Sequence, residues 1–320
     1  MGFPGTGKIW MNGTLVDWSD ARIHIGSHII HYGSGVFEGA RCYDTLKGSA
    51  CFRLDAHLRR LFDSARIYRM DVPYDQQTLT DAILELIQVN KFRACYIRPI
   101  VYRGYDSLGV NPLPCPVDVA IMLWEWGAYF TKEALEEGLD VKISTWARNA
   151  PNTTPAMAKS VANYANAQLI KMEAIADGYA EGIALDTYGN LSEGSGQNIF
   201  IVREGIIYTP PVGNSVLWGI TRDSVITIAR ELGFEVREQT LPRETLYIAD
   251  EVFFVGTAVE VTPIRSVDRV KVGRGRRGPV TEALQQRFFQ IVKGEVPDTH
   301  GWLQFVHMPA TATSGSRKGR

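Results

Sequence analysis

Several patterns that would tie a chain to a metal, a membrane or an oxidising compartment are missing from this sequence. Its six histidines include no HExxH or comparable ligand spacing, and its four cysteines form no CxxC pair. All four cysteines lie within the first 115 residues. We therefore expect neither a metal site nor a disulfide framework, and we predict a reducing, cytoplasmic location.

The sequence also lacks long apolar runs and any excess of charge of one sign. No stretch approaches the roughly 18 apolar residues of a membrane-spanning helix, and the N-terminus shows no basic segment followed by an apolar one. The formal net charge is -1 at pH 7. Neither a membrane nor a nucleic acid is expected as a partner, and small neutral or zwitterionic ligands fit this charge better.

Two glycine-rich stretches imitate nucleotide-binding motifs but lack a required residue. Residues 2–9, GFPGTGKI, end in Ile9 where a P-loop needs Ser or Thr. Residues 33–39, GSGVFEG, carry Glu38 where a dinucleotide fingerprint has its third glycine. The arginine-rich residues 272–280 contain no aromatic side chain that could stack on a base. These stretches therefore give no support for nucleotide or nucleic-acid binding.

The chain of 320 residues is long enough for about two domains. Residues 1–126 alternate short strands with helical patterns and are predicted to form a small α+β domain. We predict an interdomain loop over residues 127–137 and a larger, ligand-binding domain over residues 138–309. Residues 310–320 have lost apolar periodicity and are predicted to be disordered.

Apolar periodicity predicts the main helices and strands of both domains. Helices are expected over residues 54–68, 77–90 and 221–233. Strands are expected over residues 95–103 and 198–202, among others.

One lysine, Lys159, lies among small and apolar residues in the stretch TTPAMAKSVANYANAQLIKMEA. Pro155 prevents the following helix from extending far upstream. The apolar residues of that helix recur every three or four positions, at Val161, Ala165, Leu169, Met172 and Ala176. Lys159 is therefore predicted just before the helix or in its first turn, where the helix dipole does not favour a cation. It is either a surface lysine or a lysine in an apolar pocket, where a lowered pKa would let it form a Schiff base.

Four further polar residues would complete a pyridoxal 5'-phosphate site around Lys159. Glu193 lies at a glycine-rich break between two predicted strands, where a carboxylate can keep a pyridine nitrogen protonated. Thr221 begins a predicted helix and Thr257 follows a predicted strand, so both offer donors to a phosphate. Tyr164 can hydrogen-bond to the cofactor phenolate. Taken singly, each also fits a plainer role as a turn residue, helix cap or core side chain.

The order of these residues resembles the class IV pyridoxal-phosphate aminotransferases. The resemblance to the family signature runs from Glu193 through Asn198, Phe200, Thr209, Gly219 and Arg222. Across residues 8–306, further segments resemble the bacterial branched-chain amino-acid members, among them HYGSGVFEGARCYDT, YIRPIVYRGYDSLGVNP, EWGAY, APNTTPAMAKSVANY, EGIALD, LSEGSGQNIF, GITRD and GTAVEVTPI. The resemblance implies a two-domain α+β fold of fold type IV, as in D-amino-acid aminotransferase. Its N-terminal domain would be the smaller one and its C-terminal domain a larger pseudo-barrel.

The resemblance also implies roles for individual residues. Lys159 would be the Schiff-base lysine and the group that moves the proton. The residues implied to bind the cofactor are Arg60, Lys159, Tyr164, Glu193, Ile220, Thr221 and Thr257. The residues implied to bind the substrate are Phe37, Gly39, Tyr96, Arg98, Trp126, Tyr129, Thr257 and Ala258, together with Tyr32 from the partner subunit of a homodimer or of a larger assembly of dimers.

The implied reaction is a ping-pong transfer of the amino group between L-leucine, L-isoleucine or L-valine and 2-oxoglutarate. Its products would be branched-chain 2-oxo acids and L-glutamate. Aromatic walls would receive the branched side chain, and Arg98 would pair with the distal carboxylate of glutamate.

Other activities share this fold and stay open at this point. They include D-amino-acid aminotransferases, R-selective amine transaminases and aminodeoxychorismate lyase. The segments YIRP and SLGVNP favour the branched-chain enzyme. A cofactor-free interaction protein would be expected to have lost Lys159, Glu193 or a phosphate-binding threonine, and all are present. The chain departs from the family pattern in MAKSVANY and at Gln197, where Glu is expected, and neither change removes a group that the reaction requires.

Overall fold

Two β-sheets with helices packed against them form the framework of the chain. The computed structural model describes residue 3, residues 5–125 and residues 132–306. Its strands are β1 (Lys8–Met11), β2 (Thr14–Asp17), β3 (Gly35–Phe37), β4 (Ala40–Thr45), β5 (Gly48–Phe52), β6 (Cys95–Arg103), β7 (Val117–Trp124), β8 (Leu139–Ile143), β9 (Glu181–Leu185), β10 (Leu191–Gly194), β11 (Asn198–Arg203), β12 (Ile206–Thr209), β13 (Val236–Glu238), β14 (Glu251–Gly256), β15 (Glu260–Val267), β16 (Val270–Lys271) and β17 (Leu303–Phe305). Its helices are α1 (His28–Tyr32), α2 (Leu54–Ile67), α3 (Gln76–Val89), α4 (Lys132–Glu137), α5 (Asn163–Ala176), α6 (Ile220–Glu231) and α7 (Pro279–Val292), with short 3-10 helices at Trp18–Asp20 and Arg243–Ile248.

The first sheet is antiparallel and carries α2 and α3 on one face. Its strand order is β17-β5-β4-β6-β7-β1-β2, and β3 also pairs with β6. Helix α2 buries Leu54, Leu58, Leu61 and Ala65, which recur at the spacing of one helical face. These side chains share an apolar core with strand residues such as Ile97.

The second sheet is mixed and forms the larger half of the structure. Its order is β10-β9-β8-β15-β14-β11-β12-β13, with β16 beside β15. Strand β8 runs parallel to both β9 and β15, whereas β11, β14 and β15 are antiparallel neighbours. Helices α6 and α7 pack against one another and against β14, and α5 packs against β9.

The two sheets share one apolar core, which fixes them relative to each other. Phe52 of β5 and Phe288 of α7 meet edge to face with ring centroids 5.6 Å apart. Trp302 contacts Phe52 in the same way at 5.7 Å. Phe200 and Phe253, from two strands of the second sheet, stack 5.2 Å apart in this core. Side chains from opposite sheets are therefore held at a common boundary, where the cavity described below lies.

The structure confirms the main predicted elements and differs at the predicted domain edges. The helices predicted over residues 54–68, 77–90 and 221–233 correspond to α2, α3 and α6, and the strand predicted over residues 95–103 is β6. Part of the predicted interdomain loop is helical, since α4 spans Lys132–Glu137. The predicted disordered tail lies outside the described residues.

The end of the chain does not follow the predicted division into two domains. Strand β17 pairs with β5 of the first sheet, although residues 138–309 were all predicted to belong to the larger domain. Its residues Leu303–Phe305 are too few to show a periodicity, and the preceding Trp302 contacts Phe52 of β5. Helix α7 was also not predicted from the sequence.

Helix α5 forms where it was predicted, but its apolar stripe is largely exposed. Leu169 and Met172 lie on the exposed side, whereas Ala167, Ile170 and Ala174 are buried. The buried face is narrow because α5 lies close to β9, where a side chain at Gly182 would overlap Ile170. The helix is therefore oriented so that this narrow face lies against the sheet. Its widest apolar stripe, which the sequence indicated as the buried face, points away from the sheet.

Candidate active site

A cavity of about 380 Å³ lies between the two sheets. The first sheet and α2 supply one wall. The opposite wall comes from β10, the loop before α5, the start of α6 and the turn between β14 and β15. Segments far apart in the sequence therefore meet around one cavity.

Lys159 lies in the loop before α5, and its backbone is fixed on both sides. Its N–H donates to Ser64 Oγ at 3.0 Å, and its carbonyl accepts from the N–H of Phe37 at 3.0 Å. The half-buried side chain extends into the cavity, where Nζ donates to Tyr164 Oη at 2.5 Å. An amine and a phenol on a rigid backbone are thus in direct contact.

Glu193 is buried on β10 and is held by three groups. Oε1 pairs with Arg148 Nη2 at 2.9 Å. Oε2 accepts from Asn198 Nδ2 at 3.1 Å and from the N–H of Leu217 at 3.2 Å. Burial raises the pKa of Glu193, and the positive charges of Arg148, Lys159 and Arg60 oppose this rise. The cavity therefore presents a carboxylate whose charge depends on its neighbours.

An anion-binding arrangement lies at the start of α6. Gly219 has an extended backbone at the N-cap, and no side chain of the described residues caps this helix end. The first N–H groups, including those of Ile220 and Thr221, therefore lack partners within the helix. Arg60 lies beside this end and donates from Nη1 to the carbonyl of Trp218 at 2.8 Å. The free N–H groups, the positive end of the helix dipole and the guanidinium of Arg60 therefore lie close together, an arrangement that can bind a phosphate.

Arg60 is itself held by a buried carboxylate. Nε and Nη2 of Arg60 donate to the two oxygens of Glu38, at 2.5 and 2.9 Å. His57 Nδ1 lies 2.7 Å from Glu38 Oε2. Burial favours the neutral carboxyl, but Arg60 and His57 outweigh it and keep the pKa of Glu38 well below its usual range. The guanidinium thus has a fixed direction.

Aromatic side chains and one arginine line the side of the cavity formed by the first sheet. The guanidinium carbon of Arg98 lies 4.7 Å from the ring centroid of Phe37, 5.4 Å from that of Tyr96 and 5.5 Å from that of Trp124. Arg98 Nε is buried and has no hydrogen-bond partner among the described residues. This wall offers both apolar surface and a positive charge.

The turn between β14 and β15 forms another part of the cavity wall. Thr257 and Ala258 lie in this turn and line the cavity. Glu260, which follows, adopts a left-handed backbone with φ of 55°. Its Oε1 accepts from Tyr43 Oη at 3.1 Å and lies 3.1 Å from Arg41 Nη1. Two residues of the first sheet therefore hold a turn of the second.

Most of the residues predicted from the sequence lie together in this cavity. Those that line it are Phe37, Gly39, Arg60, Tyr96, Arg98, Lys159, Tyr164, Glu193, Ile220, Thr221, Thr257 and Ala258. Tyr32 does not line it within the described part of this chain and is 45% exposed on α1. Trp126 and Tyr129 lie outside the described residues.

Sequence reasoning missed several polar residues of the site. Glu38 and His57 are fully enclosed around Arg60, and Arg148 contacts Glu193. Gln197, which the sequence marked only as a departure from the family pattern, donates to the buried Glu181 at 2.9 Å. No local pattern marks these residues, because each is identified only by a partner distant in the sequence. An arginine in the otherwise uncharged stretch STWARNAP was the one available signal for Arg148.

Residue 3, residues 5–125 and residues 132–306 lack two kinds of feature. These residues contain no group of three or more His, Cys, Asp or Glu side chains that could hold a metal ion. They also contain no helix long and apolar enough to cross a membrane.

Known proteins with similar sequences cover almost the whole chain. The branched-chain-amino-acid aminotransferase of Salmonella typhimurium is 51% identical over 300 residues, which are 93% of this chain and 97% of the relative. The protein of the same name from Pseudomonas aeruginosa is 47% identical over 94% of this chain and 97% of its own length.

Solved structures agree with the sequence comparison. The branched-chain amino acid aminotransferase of Escherichia coli superposes with a TM-score of 0.92 at 51% identity, over 94% of this chain and 99% of that one. The branched-chain amino acid aminotransferase of Thermobaculum terrenum, in its PLP-form, gives a TM-score of 0.88 at 32% identity, over 95% of this chain and 99% of that one. Residues 35–267 match the family described as Amino-transferase class IV. The chain belongs to the class IV amino-transferase family.

Proposed function

We propose that this chain catalyses the pyridoxal 5'-phosphate-dependent transfer of an amino group between L-leucine, L-isoleucine or L-valine and 2-oxoglutarate. The relatives named branched-chain-amino-acid aminotransferase support this activity, since they are up to 51% identical over nearly the whole chain. The observation that carries the proposal is the contact of Lys159 Nζ with Tyr164 Oη inside the cavity that Glu193 and the start of α6 also line.

The residues of the cavity fit pyridoxal 5'-phosphate by the chemistry of their donors and acceptors. Arg60, the hydroxyls of Thr221 and Thr257, and the free N–H groups at the start of α6 would hold the phosphate. Glu193 would accept a hydrogen bond from the pyridine nitrogen. Tyr164 would donate to the phenolate oxygen, and Lys159 would hold the cofactor covalently.

When bound, the cofactor supplies a carbonyl carbon that accepts an amino group and a ring that withdraws electrons from the substrate α-carbon. Lys159 would hold the cofactor through Nζ and would be displaced by the substrate amine. Its freed Nζ would then accept the proton from the substrate α-carbon and pass that proton back as an acid. The short contact with Tyr164 keeps this amine within reach while it is free.

The substrate side chain would lie against the aromatic wall of the first sheet. Phe37 and Tyr96 offer apolar surface to a branched side chain. Arg98 would pair with the distal carboxylate when glutamate or 2-oxoglutarate takes the place of leucine. The backbone N–H groups of Thr257 and Ala258 would face the α-carboxylate, since these residues form the turn that lines the cavity.

A second copy of the chain would complete the substrate pocket in this proposal. Tyr32 is exposed on α1 and stacks on His28 with ring centroids 4.5 Å apart. A side chain presented outward in this way is available to a partner subunit. The cytoplasmic location stays a prediction from the sequence.

Single-turnover measurements of the cofactor spectrum test the proposed activity. L-leucine, L-isoleucine and L-valine should each convert the cofactor to its amino form faster than D-alanine or a simple R-amine. A faster reaction with the R-amine or with D-alanine would instead identify an R-selective amine or D-amino-acid transaminase. Absence of cofactor absorbance from the purified, reconstituted protein would contradict the proposal altogether.

A further inference from the structure

Arg148 contacts the cavity carboxylate but has no role in the reaction described above. Its backbone N–H donates to the carbonyl of Leu185 at 2.8 Å, which fixes the loop after β8 to β9. Its Nη1 donates to Asn166 Oδ1 on α5 at 3.2 Å, and its Nη2 pairs with Glu193 Oε1 at 2.9 Å. The side chain is only 10% exposed. A nearly buried arginine therefore lies in a fixed position against Glu193.

The contacts of Glu193 all favour its ionised form. One oxygen faces Arg148, and the other accepts from Asn198 and from the N–H of Leu217. A proton on either oxygen would point at a donor and lose one of these hydrogen bonds. Lys159 and Arg60, both of them cations, also act on Glu193 through their charges, and of these three cations Arg148 is the one paired with it.

The charge of Glu193 matters because its proposed partner is a pyridine nitrogen, which can also carry the proton. Burial makes a carboxylate more basic, so an unassisted Glu193 would compete with the nitrogen for that proton. A neighbouring guanidinium makes the carboxylate less basic and leaves the proton on the nitrogen. A protonated ring is the better electron acceptor for the substrate α-carbon.

We propose that Arg148 is a positioning residue that keeps Glu193 ionised and thereby places the shared proton on the pyridine nitrogen of the cofactor. The proposal rests on the proposed function, in which Glu193 faces that nitrogen. It assigns to Arg148 an electrostatic effect on the cofactor ring without any contact with the substrate.

The first test uses the protein without cofactor and measures the titration of Glu193 directly. Glutamate labelled with ¹³C at the side-chain carboxyl is followed by NMR across a pH series, and Glu193→Gln identifies the signal of Glu193. Arg148→Gln removes the charge but keeps a polar side chain, whereas Arg148→Lys keeps the charge. We expect the midpoint of Glu193 to move to higher pH in Arg148→Gln and to stay near the unmutated value in Arg148→Lys.

The second test measures the proton on the ring of the bound cofactor. Pyridoxal 5'-phosphate labelled with ¹⁵N at the pyridine nitrogen should show a resonance of the protonated ring in the unmutated enzyme and in Arg148→Lys. In Arg148→Gln the resonance should shift toward that of the unprotonated ring. An unchanged Glu193 midpoint, or an unchanged ¹⁵N resonance in Arg148→Gln, would overturn the proposal.

Two controls distinguish a wrong assignment of Arg148 from misfolding of the variant and from a wrong proposed function. If circular dichroism shows that Arg148→Gln does not fold, Asn166→Ala serves instead, because it frees Arg148 from its second anchor without removing the charge. The same shifts, smaller in size, are then expected, and their absence counts against the proposal. A failure of the proposed function would appear differently, as unmutated protein that binds no cofactor or does not transaminate leucine.

Discussion

The amine of Lys159 lies beside the rings of Phe37 and Tyr164 and contacts the hydroxyl of Tyr164. Its Nζ is 5.1 Å from the ring centroid of Phe37 and 5.0 Å from that of Tyr164. The two rings are themselves in contact, with centroids 4.7 Å apart. The amine remains accessible from the cavity. The carbonyl carbon of a bound cofactor would have to approach it from there.

Lys159→Ala should remove the covalent link to the cofactor and the proton transfer together. We expect transamination of leucine to fall by several orders of magnitude, while the phosphate and pyridine contacts still retain cofactor. Borohydride reduction of the unmutated enzyme, followed by peptide mass spectrometry, should find the cofactor on Lys159. Lys171 is an internal control, because it lines the same cavity but is bound to Glu181 at 2.9 Å. A cofactor adduct on Lys171 would contradict the assignment.

Arg98→Met should separate the two substrates. The loss of a charge-assisted pair with the distal carboxylate costs roughly 1.5–3 kcal/mol, or about 10- to 100-fold in kcat/KM. We expect that loss for glutamate and 2-oxoglutarate, and a much smaller one for leucine, in single-turnover half-reactions. Equal losses would show that Arg98 has a structural role in the cavity wall, or that it binds the α-carboxylate that both substrates carry.

Helix α5 carries Tyr164 and is tied to β8 by Glu173 and by Asp177 at its end, both of which pair with Lys142. Glu173 Oε1 pairs with Lys142 Nζ at 2.7 Å, and Oε2 accepts from Ser144 Oγ and from the N–H of Thr145. Burial disfavours the charge of Glu173, but these hydrogen bonds outweigh it and lower its pKa to about 2. An ionised Glu173 therefore helps to hold the helix against β8.

Glu173→Gln should lower the free energy of unfolding at neutral pH. It should also make that free energy fall less steeply as the pH becomes acidic. The folded-state pKa lies below the usual value of 4.5, so the contribution of Glu173 is complete above that pH and is lost as the pH falls toward 2. At pH 7 we expect the substitution to lower the free energy of unfolding by about 1 kcal/mol. The difference between the two proteins should shrink below pH 4.5 in urea unfolding curves. A difference that stays constant from neutral pH down to about pH 3.5 would show that the charge of Glu173 is not responsible.

The proposed contribution of Tyr32 to a partner's cavity can be tested only on the whole assembly. In such a dimer each site combines Lys159 of one subunit with Tyr32 of the other. Tyr32→Ala and Lys159→Ala subunits should each be impaired alone. Mixed by unfolding and refolding together, they should form hybrid dimers in which one site has both native residues and the other has neither.

Random mixing should therefore restore about one quarter of the unmutated activity, because half of the dimers are hybrids with one intact site. Turnover of leucine before and after mixing is the measurement. A mixture no more active than the sum of its parts would show that Tyr32 acts within its own chain or not at all. Lys159→Ala mixed with unmutated subunits controls for losses during refolding.

Local patterns in the sequence were enough to predict most elements and to single out Lys159 as an unusual lysine. The periodicity of residues 54–68 gave α2, and alternating apolar residues gave β6, because each pattern reflects burial of one face of a regular element. The position of Lys159 five residues before Tyr164, at the start of a helix, likewise depends on neighbouring residues alone. The order of the remaining motifs was enough to predict the family.

The tertiary structure alone decided which charges meet. The resemblance implied a cofactor-binding role for Arg60, but only the fold shows that Glu38 and the carbonyl of Trp218 hold it inside the cavity. Arg148 and Glu193 are separated by 45 positions, and no spacing between them indicates a pair. Strand β17 likewise joins the first sheet from the far end of the chain. A helix or strand can be predicted from its sequence because its pattern repeats within a few residues. A buried ion pair forms only after distant segments have packed together, and only the folded chain determines it.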